Sequence, residues 1–167
     1  MKKYAAFSLI ELMIILAVVA ILVALGVPKI TQVTQNNRII EVTNKISSYL
    51  KRARSEAINR TSQVGIVATG GGGTNWMVGW DIYLDANSNS QFEAGETILL
   101  TVGNQNIPNV TIVGPLNGVA YTATGRKTIN VLAGAGPTAT FTITDLTPGG
   151  IPPRTLTVNA AGRRLIQ

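Results

Sequence analysis

The sequence predicts an α+β protein: one long N-terminal helix laid against an antiparallel β-sheet domain. Two observations predict it. An apolar run from Phe7 to Val27 flows into a stripe of Val33, Ile39, Val42, Ile46, Tyr49, Leu50, Ala53 and Ala57, recurring at three- and four-residue spacing to about Asn59. From Thr61 onward that period gives way to short β-rich runs divided by turn signals. At 167 residues the chain has room for one modest domain and an anchor.

The first element is the apolar run, which holds one charge, Glu11, and one hydroxyl, Ser8, in 21 positions. As a helix it is about 31 Å long, the thickness of a bilayer's hydrocarbon core. Residues 1–6 form a short basic leader ahead of it. The run is longer than the core of an ordinary secretory signal and continues into the amphipathic stretch, so it reads as a retained anchor over 7–28. Lys2 and Lys3 are expected to hold the N-terminus in the cytoplasm and send the C-terminal bulk across the membrane. Gly26 and Pro28 end the run, and a kink or local melting is expected there because proline lacks a donor and crowds the preceding turn. The amphipathic half, 29–60, is expected to pack on its own domain.

The β-rich part, 61–167, offers VGIVA (64–68), WMVGWDIYL (76–84), TILLTV (97–102), VTIV (110–113), VAYTA (119–123), TINVL (128–132), TATFTIT (138–144) and RTLTVN (154–159) as strands. GGGG, NSNS, IPN, GPLNG, AGAGP and TPGGIPP separate them. Gly70 to Gly73 reads as a loop and not a phosphate cradle, because no Lys-Ser/Thr pair or helix follows.

Composition excludes more than it suggests. The chain has no Cys and no His, so neither a disulfide framework nor the usual nucleophile–base constellations are available, and no enzymatic activity is expected. The formal charge is +6. Seven basic residues lie between Lys29 and Arg60 against Glu41 and Glu56, and the last third is basic again, through Arg126, Lys127, Arg154, Arg163 and Arg164.

Glu11 resists a bland account. A carboxylate near the start of an apolar span is costly in hydrocarbon unless it meets a partner. A cut between Ala6 and Phe7 would create an amine four residues away, and in a bundle of parallel helices Glu11 of one subunit could meet that amine on its neighbour. The other reading is a carboxylate snorkelling at the membrane edge.

The segment KKYAAFSLIELMIILAVVAILVALGVP resembles the class III signal of type IV pilins and type II secretion pseudopilins. The resemblance implies cleavage and N-methylation at Phe7 by prepilin peptidase, with Glu11 as fifth mature residue serving assembly and Pro28 breaking the helix. Ala6 stands where the family usually carries Gly, so less efficient processing is expected. LKRARSEAINR (50–60), GWDIYLDANSNSQFEAGE (79–96) and LTVNAAGRRLIQ (156–167) are similar to the GspH/FimT/FimU-type minor pilins and pseudopilins. That resemblance implies two β-sheets in the globular part and a place at filament tips or in initiation complexes. It implies as partners other pilin or pseudopilin subunits, prepilin peptidase and an inner-membrane assembly platform. The expected location is the bacterial inner membrane, single-pass with the domain periplasmic, and then the filament.

Two stretches invite a ligand. Asp85, Asn87, Asn89, Glu93 and Glu96 have the oxygen spacing of a calcium loop, but Ser90 stands where such a loop has glycine and the flanks read as strands. A solvated polar hairpin loop is the favoured reading, with Ca2+ as the alternative and no other cofactor. At the C-terminus, some FimT-like relatives resemble DNA receptors carrying a G-R-x-R motif. This chain has Gly162-Arg163-Arg164-Leu165, with Arg126, Lys127 and Arg154 as further candidate phosphate contacts. Solvated arginines, with Leu165 and Ile166 closing a strand, are the favoured reading there.

The function expected is therefore a minor pilin assembled through its N-terminal helix, supporting pilus biogenesis, twitching motility or DNA uptake. A type II secretion pseudopilin and a DNA-binding minor pilin are the alternatives.

Overall fold

A helix of 52 residues, α1 (Leu9–Arg60), dominates the chain and is followed by eight strands among the described residues. The computed structural model describes residues 8–128 and 138–167, and of residues 25–31 the backbone alone. At 1.5 Å per residue α1 is about 78 Å long. It begins where the Ser8 carbonyl accepts the amides of Glu11 and Leu12 at 3.1 and 3.2 Å. It ends where Thr61 turns left-handed (φ 49°) and the amide of Ser62 reaches back to Ala57 O at 3.2 Å.

Helical geometry is continuous through positions 26–28, which corrects the local melting expected at Gly26 and Pro28. Proline removes one bond of the ladder, and the intact turns on either side carry the helix across it.

The second half of α1 is buried along one face. Ile39, Val42, Ile46, Leu50, Ala53 and Ala57 are at most 1% exposed. Val33, expected on the same stripe, is 59% exposed because the helix has left the domain by that point. The stripe packs on β1 (Val64–Ala68), β5 (Val119–Tyr121), β6 (Ala139–Asp145) and β7 (Arg154–Val158). Two sheets thus share one helix.

The first sheet has the order β3-β2-β1-β5, with β2 at Trp80–Leu84 and β3 at Thr97–Val102. The second has the order β4-β6-β7-β8, with β4 at Val110–Val113 and β8 at Arg164–Ile166. Every named pairing is antiparallel. The register puts Ile66 opposite both Ile82 and Val119, and Phe141 opposite Leu156, so large side chains meet across the core.

Four aromatic rings stitch the layers. Tyr49 of α1 meets Trp80 of β2 edge-on at 5.5 Å, Trp80 lies 6.3 Å from Trp76, and Trp76 meets Phe141 of β6 edge-on at 4.7 Å. Trp76 reaches that place from a 3-10 turn, Trp76–Val78, where a continuation of the β2 strand was expected. The reason is Gly79 (φ 108°), at which a Cβ would run into the Val102 carbonyl, so the chain must bend before β2. The expected strand TINVL lies, from residue 129 on, outside the described residues. Strand β8 forms as Leu165 and Ile166 suggested, paired with β7 through Thr157↔Leu165 and Leu156↔Ile166.

Candidate functional site

Three regions of the fold correspond to the candidates read from the sequence, and a fourth emerges only in three dimensions. The first is the free half of α1. Every residue from Ser8 to Ala24 is exposed, Leu16 and Leu22 at 59% and 64% among them. Glu11 lies in the first turn, where the helix's N-terminal dipole favours a carboxylate. Ala6 and Phe7, the expected processing pair, lie outside the described residues. Among the described residues no helix is long and apolar enough to cross a membrane. The expected span, 7–28, includes Phe7 and side chains from 25 on that are outside that description. A continuous apolar surface of this extent needs a partner or a membrane to cover it.

The second region is the β2–β3 loop, 85–96. Asp85 is buried at its base (2% exposed) and accepts from Gln63 Nε2 and the Ser90 amide at 2.6 and 2.7 Å, and from the Asn89 amide at 3.1 Å. Across the loop, Glu93 accepts from Asn87 Nδ2 at 3.0 Å and Asn89 Nδ2 at 2.7 Å, while Glu96 accepts the Glu93 amide at 3.0 Å. For the alternative calcium reading of Asp85, Asn87, Asn89, Glu93 and Glu96 the fold supplies no acidic cluster: among the described residues no three His, Cys, Asp or Glu side chains are placed to hold a metal ion. Ser90 shapes the loop. It adopts the left-handed conformation (φ 65°), which turns its amide onto Asp85, and its hydroxyl donates to Thr128 Oγ1 at 2.9 Å. Oxygens of Asp85, Asn87, Asn89 and Glu93 thus accept from nearby donors and Ser90 ties β2 to the segment after β5, while Glu96 Oε1 is buried without a hydrogen-bond partner among the described residues. Burial raises the Glu96 carboxyl, with the Asp85 charge adding to it, and burial raises the neighbouring Tyr83 phenol.

The third region is the C-terminal basic stretch, and the structure divides it. Arg164 donates from Nη1 to the Ser47 carbonyl at 2.6 Å and the Ser47 hydroxyl at 2.9 Å, fastening β8 to α1. Arg54 donates to the Gly162 carbonyl at 3.2 Å from the same helix face. Burial depresses the Arg164 guanidinium, and the neighbouring Arg54 charge acts in the same direction. Between them Tyr121 is fully buried with its phenol pushed up to about 12, chiefly by burial. Lys127 is only 6% exposed and burial lowers its ammonium. Arg154 begins β7 while Val158, at the other end, pairs with Arg164, about 13 Å along the strand. The five basic residues therefore do not form one surface. Arg126 and Arg163 are both exposed, on turns that abut at Gly125 and Gly162.

Sequence reading missed the pairings of Ser47 and Arg54, whose partners lie more than a hundred residues away. It also missed a groove of about 830 Å³ where α1 leaves the domain, walled by Val33 and Asn36 on one side and Ile151, Pro152 and Pro153 on the other, with Ile166 at its end. Asp145 shapes the loop that carries this wall. It accepts from the Thr147 hydroxyl and amide at 2.6 and 2.9 Å, bonds that hold its carboxyl below the usual range.

The sequence profile of the family described as type II transport protein GspH matches residues 42–162, and that of the prokaryotic N-terminal methylation motif matches residues 1–27. The chain belongs to the GspH family. Its fold is that of the pilin-like proteins: the crystal structure of the Pseudomonas aeruginosa type IV minor pilin FimU (strain PAO1) superposes with a TM-score of 0.58 at 21% identity, over 80% of this chain and 91% of that one. A second crystal form of FimU superposes with a TM-score of 0.51 at 21% identity, over 76% and 90% of the two chains. No curated protein sequence matches. Family and fold are those of structural pilins and not of enzymes.

Proposed function

We propose that this GspH-family chain is a minor subunit of a type IV pilus, at the tip or in the initiation complex, carried into the filament by the first half of α1. The observation that supports it is the exposed apolar rod from Leu9 to Val23 on a subunit whose core closes without it. In this reading residues 1–6 are a leader removed by prepilin peptidase, 7–28 anchor the chain in the inner membrane before assembly, and 61–167 face the periplasm. Leaving the membrane for a filament exchanges lipid for neighbouring helices, which keeps the rod dry. Glu11 then meets the Phe7 amine of a neighbour, which neutralises both charges and fixes the axial stagger.

Mass spectrometry of the protein from native membranes tests the processing step. Loss of Met1 to Ala6 with a methylated Phe7 is expected, and retention of the first six residues overturns the reading. Glu11→Ala is expected to leave the domain folded and membrane-bound while lowering its content in sheared filaments about tenfold. Unchanged content rules out the charge pairing.

The family's own description favours a second reading, a minor pseudopilin of a type II secretion filament, using the same helix in the same way. Loss of exoprotein secretion in a deletion strain with intact piliation would select it, and so would gene neighbours encoding a secretion channel. DNA binding at Arg126 and Arg163 is compatible with either, because both stay exposed on adjoining turns. Unchanged mobility of duplex DNA at low salt in a gel shift with the purified protein excludes it.

A further inference from the structure

Arg154 stands on the inner side of its strand. Along β7 it shares the face of Leu156 and Val158, both fully buried, and it opposes buried Ile143 on β6. It opens the strand at the end where α1 leaves the domain, so its half-buried side chain lines the groove there and not the outer face of the sheet. Among the described residues its guanidinium makes no hydrogen bond and no ion pair, and no acidic side chain lines the groove. Asp145, the carboxylate of the neighbouring loop, is turned away: Thr147 donates to one of its oxygens and the other lies against Gly150. An inward-facing cation without a counter-charge is a place for an anion.

We infer that the groove holds the headgroup of an anionic phospholipid, with Arg154 on its phosphate and the first carbons of its chains against the prolines. The inference rests on the reading of residues 7–28 as a membrane anchor and adds to it a lipid seat for the domain. The lining is divided as an amphiphile is. Arg154, Gln32 and Asn36 offer a charge and two amides, while Ile151, Pro152 and Pro153 offer apolar contact. Inorganic phosphate would satisfy the arginine and leave the apolar wall bare, and a hydrocarbon would do the reverse. At about 830 Å³ the groove has the size of sites that hold small molecules, about 300–1,000 Å³. A guanidinium suits the phosphate because it can donate two parallel bonds to it.

Height above the membrane decides where that phosphate comes from. The apolar run ends at Val27, and the helix backbone continues unbroken beyond it. Gln32 and Asn36 lie five and nine residues farther on, about 7.5 and 14 Å along the axis. The headgroup layer outside the hydrocarbon is about 5–8 Å deep, so the groove opens at its upper surface. The chain is also basic at this level, with seven Lys or Arg between Lys29 and Arg60 against Glu41 and Glu56. Such a field favours an anionic over a zwitterionic lipid. The bound lipid holds the foot of the domain on the bilayer until the subunit is taken into a filament.

The test titrates the full chain, in an uncharged detergent, with phosphatidylglycerol and with phosphatidylcholine, and counts bound lipid by native mass spectrometry. Phosphatidylglycerol is expected to be retained about tenfold better, and equal retention of the two overturns the inference. Arg154→Gln is expected to lower phosphatidylglycerol retention by about fivefold or more with an unchanged melting temperature, while exposed Arg163→Gln leaves it within about twofold. Parental retention by Arg154→Gln overturns the inference. Ile166→Asp sets a carboxylate at the groove's end on an already exposed strand and is expected to weaken retention as Arg154→Gln does, which covers the case in which the arginine variant does not fold. Unweakened retention there also overturns the inference. Glycerol phosphate in excess is expected to leave the lipid bound, and displacement would mark a plain phosphate site and overturn the lipid assignment. A benzophenone amino acid at Val33 is expected to crosslink to lipid in native membranes, and crosslinks to protein alone overturn the inference. Release of the full chain from those membranes by alkaline carbonate fails the anchor reading, and the inference with it. A carbonate-resistant chain that binds lipid equally well with and without Arg154 fails the inference alone.

Discussion

The two halves of α1 are comparably apolar in places, yet the described side chains of one, from Leu9 to Ala24, lie in the open and the other is the spine of the core. From Leu9 to Val23 apolar side chains point in every direction around the helix, and all are exposed. From Ile39 to Ala57 they keep to one face, and that face is buried while Lys45, Lys51 and Arg52 remain outside. A helix that is greasy all round cannot be satisfied by a single domain on one side, whereas a striped helix can. The distribution around the axis, and not the apolar content, tells whether the partner lies within the chain or beyond it.

This contrast breaks first, and hardest, on paired truncations. Leu50→Ala opens a cavity at a fully buried site and is expected to cost about 3 kcal/mol, as large-to-small core changes do. Leu16→Ala, at 59% exposure, is expected to change domain stability by less than about 0.5 kcal/mol while weakening filament incorporation. Urea unfolding in detergent, followed by the fluorescence of the buried Trp76 and Trp80, measures both. Equal costs would mean that the first half folds back on the domain.

A second comparison concerns pH. Tyr121 lies under the buried half, and its phenol is pushed up to about 12, while an unfolded tyrosine ionises near pH 10. Above about pH 10 the unfolded chain therefore binds fewer protons than the native one, and stability falls by up to about 1.4 kcal/mol per pH unit until the native phenol ionises. Below pH 10 both states are protonated and this contribution is constant. The phenol oxygen has no hydrogen-bond partner among the described residues, so Tyr121→Phe is expected to leave stability at pH 7 unchanged or slightly raised. It should also flatten the alkaline fall in melting temperature between pH 10 and 12. A fall as steep in the variant would assign it elsewhere, Tyr83 being the next candidate.

Smaller effects sharpen the boundary between structural and free arginines. Arg164→Ala removes two bonds to Ser47 and is expected to cost about 1–2 kcal/mol, whereas Arg163→Ala, exposed, should stay within about 0.5 kcal/mol. Thermal melts separate the two, and the opposite ranking would mean that the Arg164 contact contributes nothing in solution. Smallest of all, Glu56→Gln breaks an exposed helical pair with Arg60 at 2.9 Å and is expected to cost about 0.3–0.5 kcal/mol, less at high salt.

How much of this was legible beforehand depended on range. The helix, its buried stripe and most strands follow from local periodicity, and the methylation-type segment announces itself in its first 27 residues. Trp76 to Val78 misled because β-propensity in WMV is overridden by the bend that Gly79 must make. The loop after Asp85 misled in part, since ligand-like spacing says nothing about where Ser90 and Gln63 send their donors. Arg164 looked free because Ser47, its partner, is remote in the chain.

By itself the sequence determined the α+β class, the split between an all-apolar and a striped half-helix, and the isolation of Glu11. These are properties of residue order along one element, where periods of 3.6 and 2 have direct meaning. Only the tertiary structure decided that two sheets share one helix face, that Arg164 fastens the last strand while Arg163 stays in solvent, and that a groove opens where α1 departs. Those outcomes depend on which distant segments meet, and such meetings are set by the packing of the whole core.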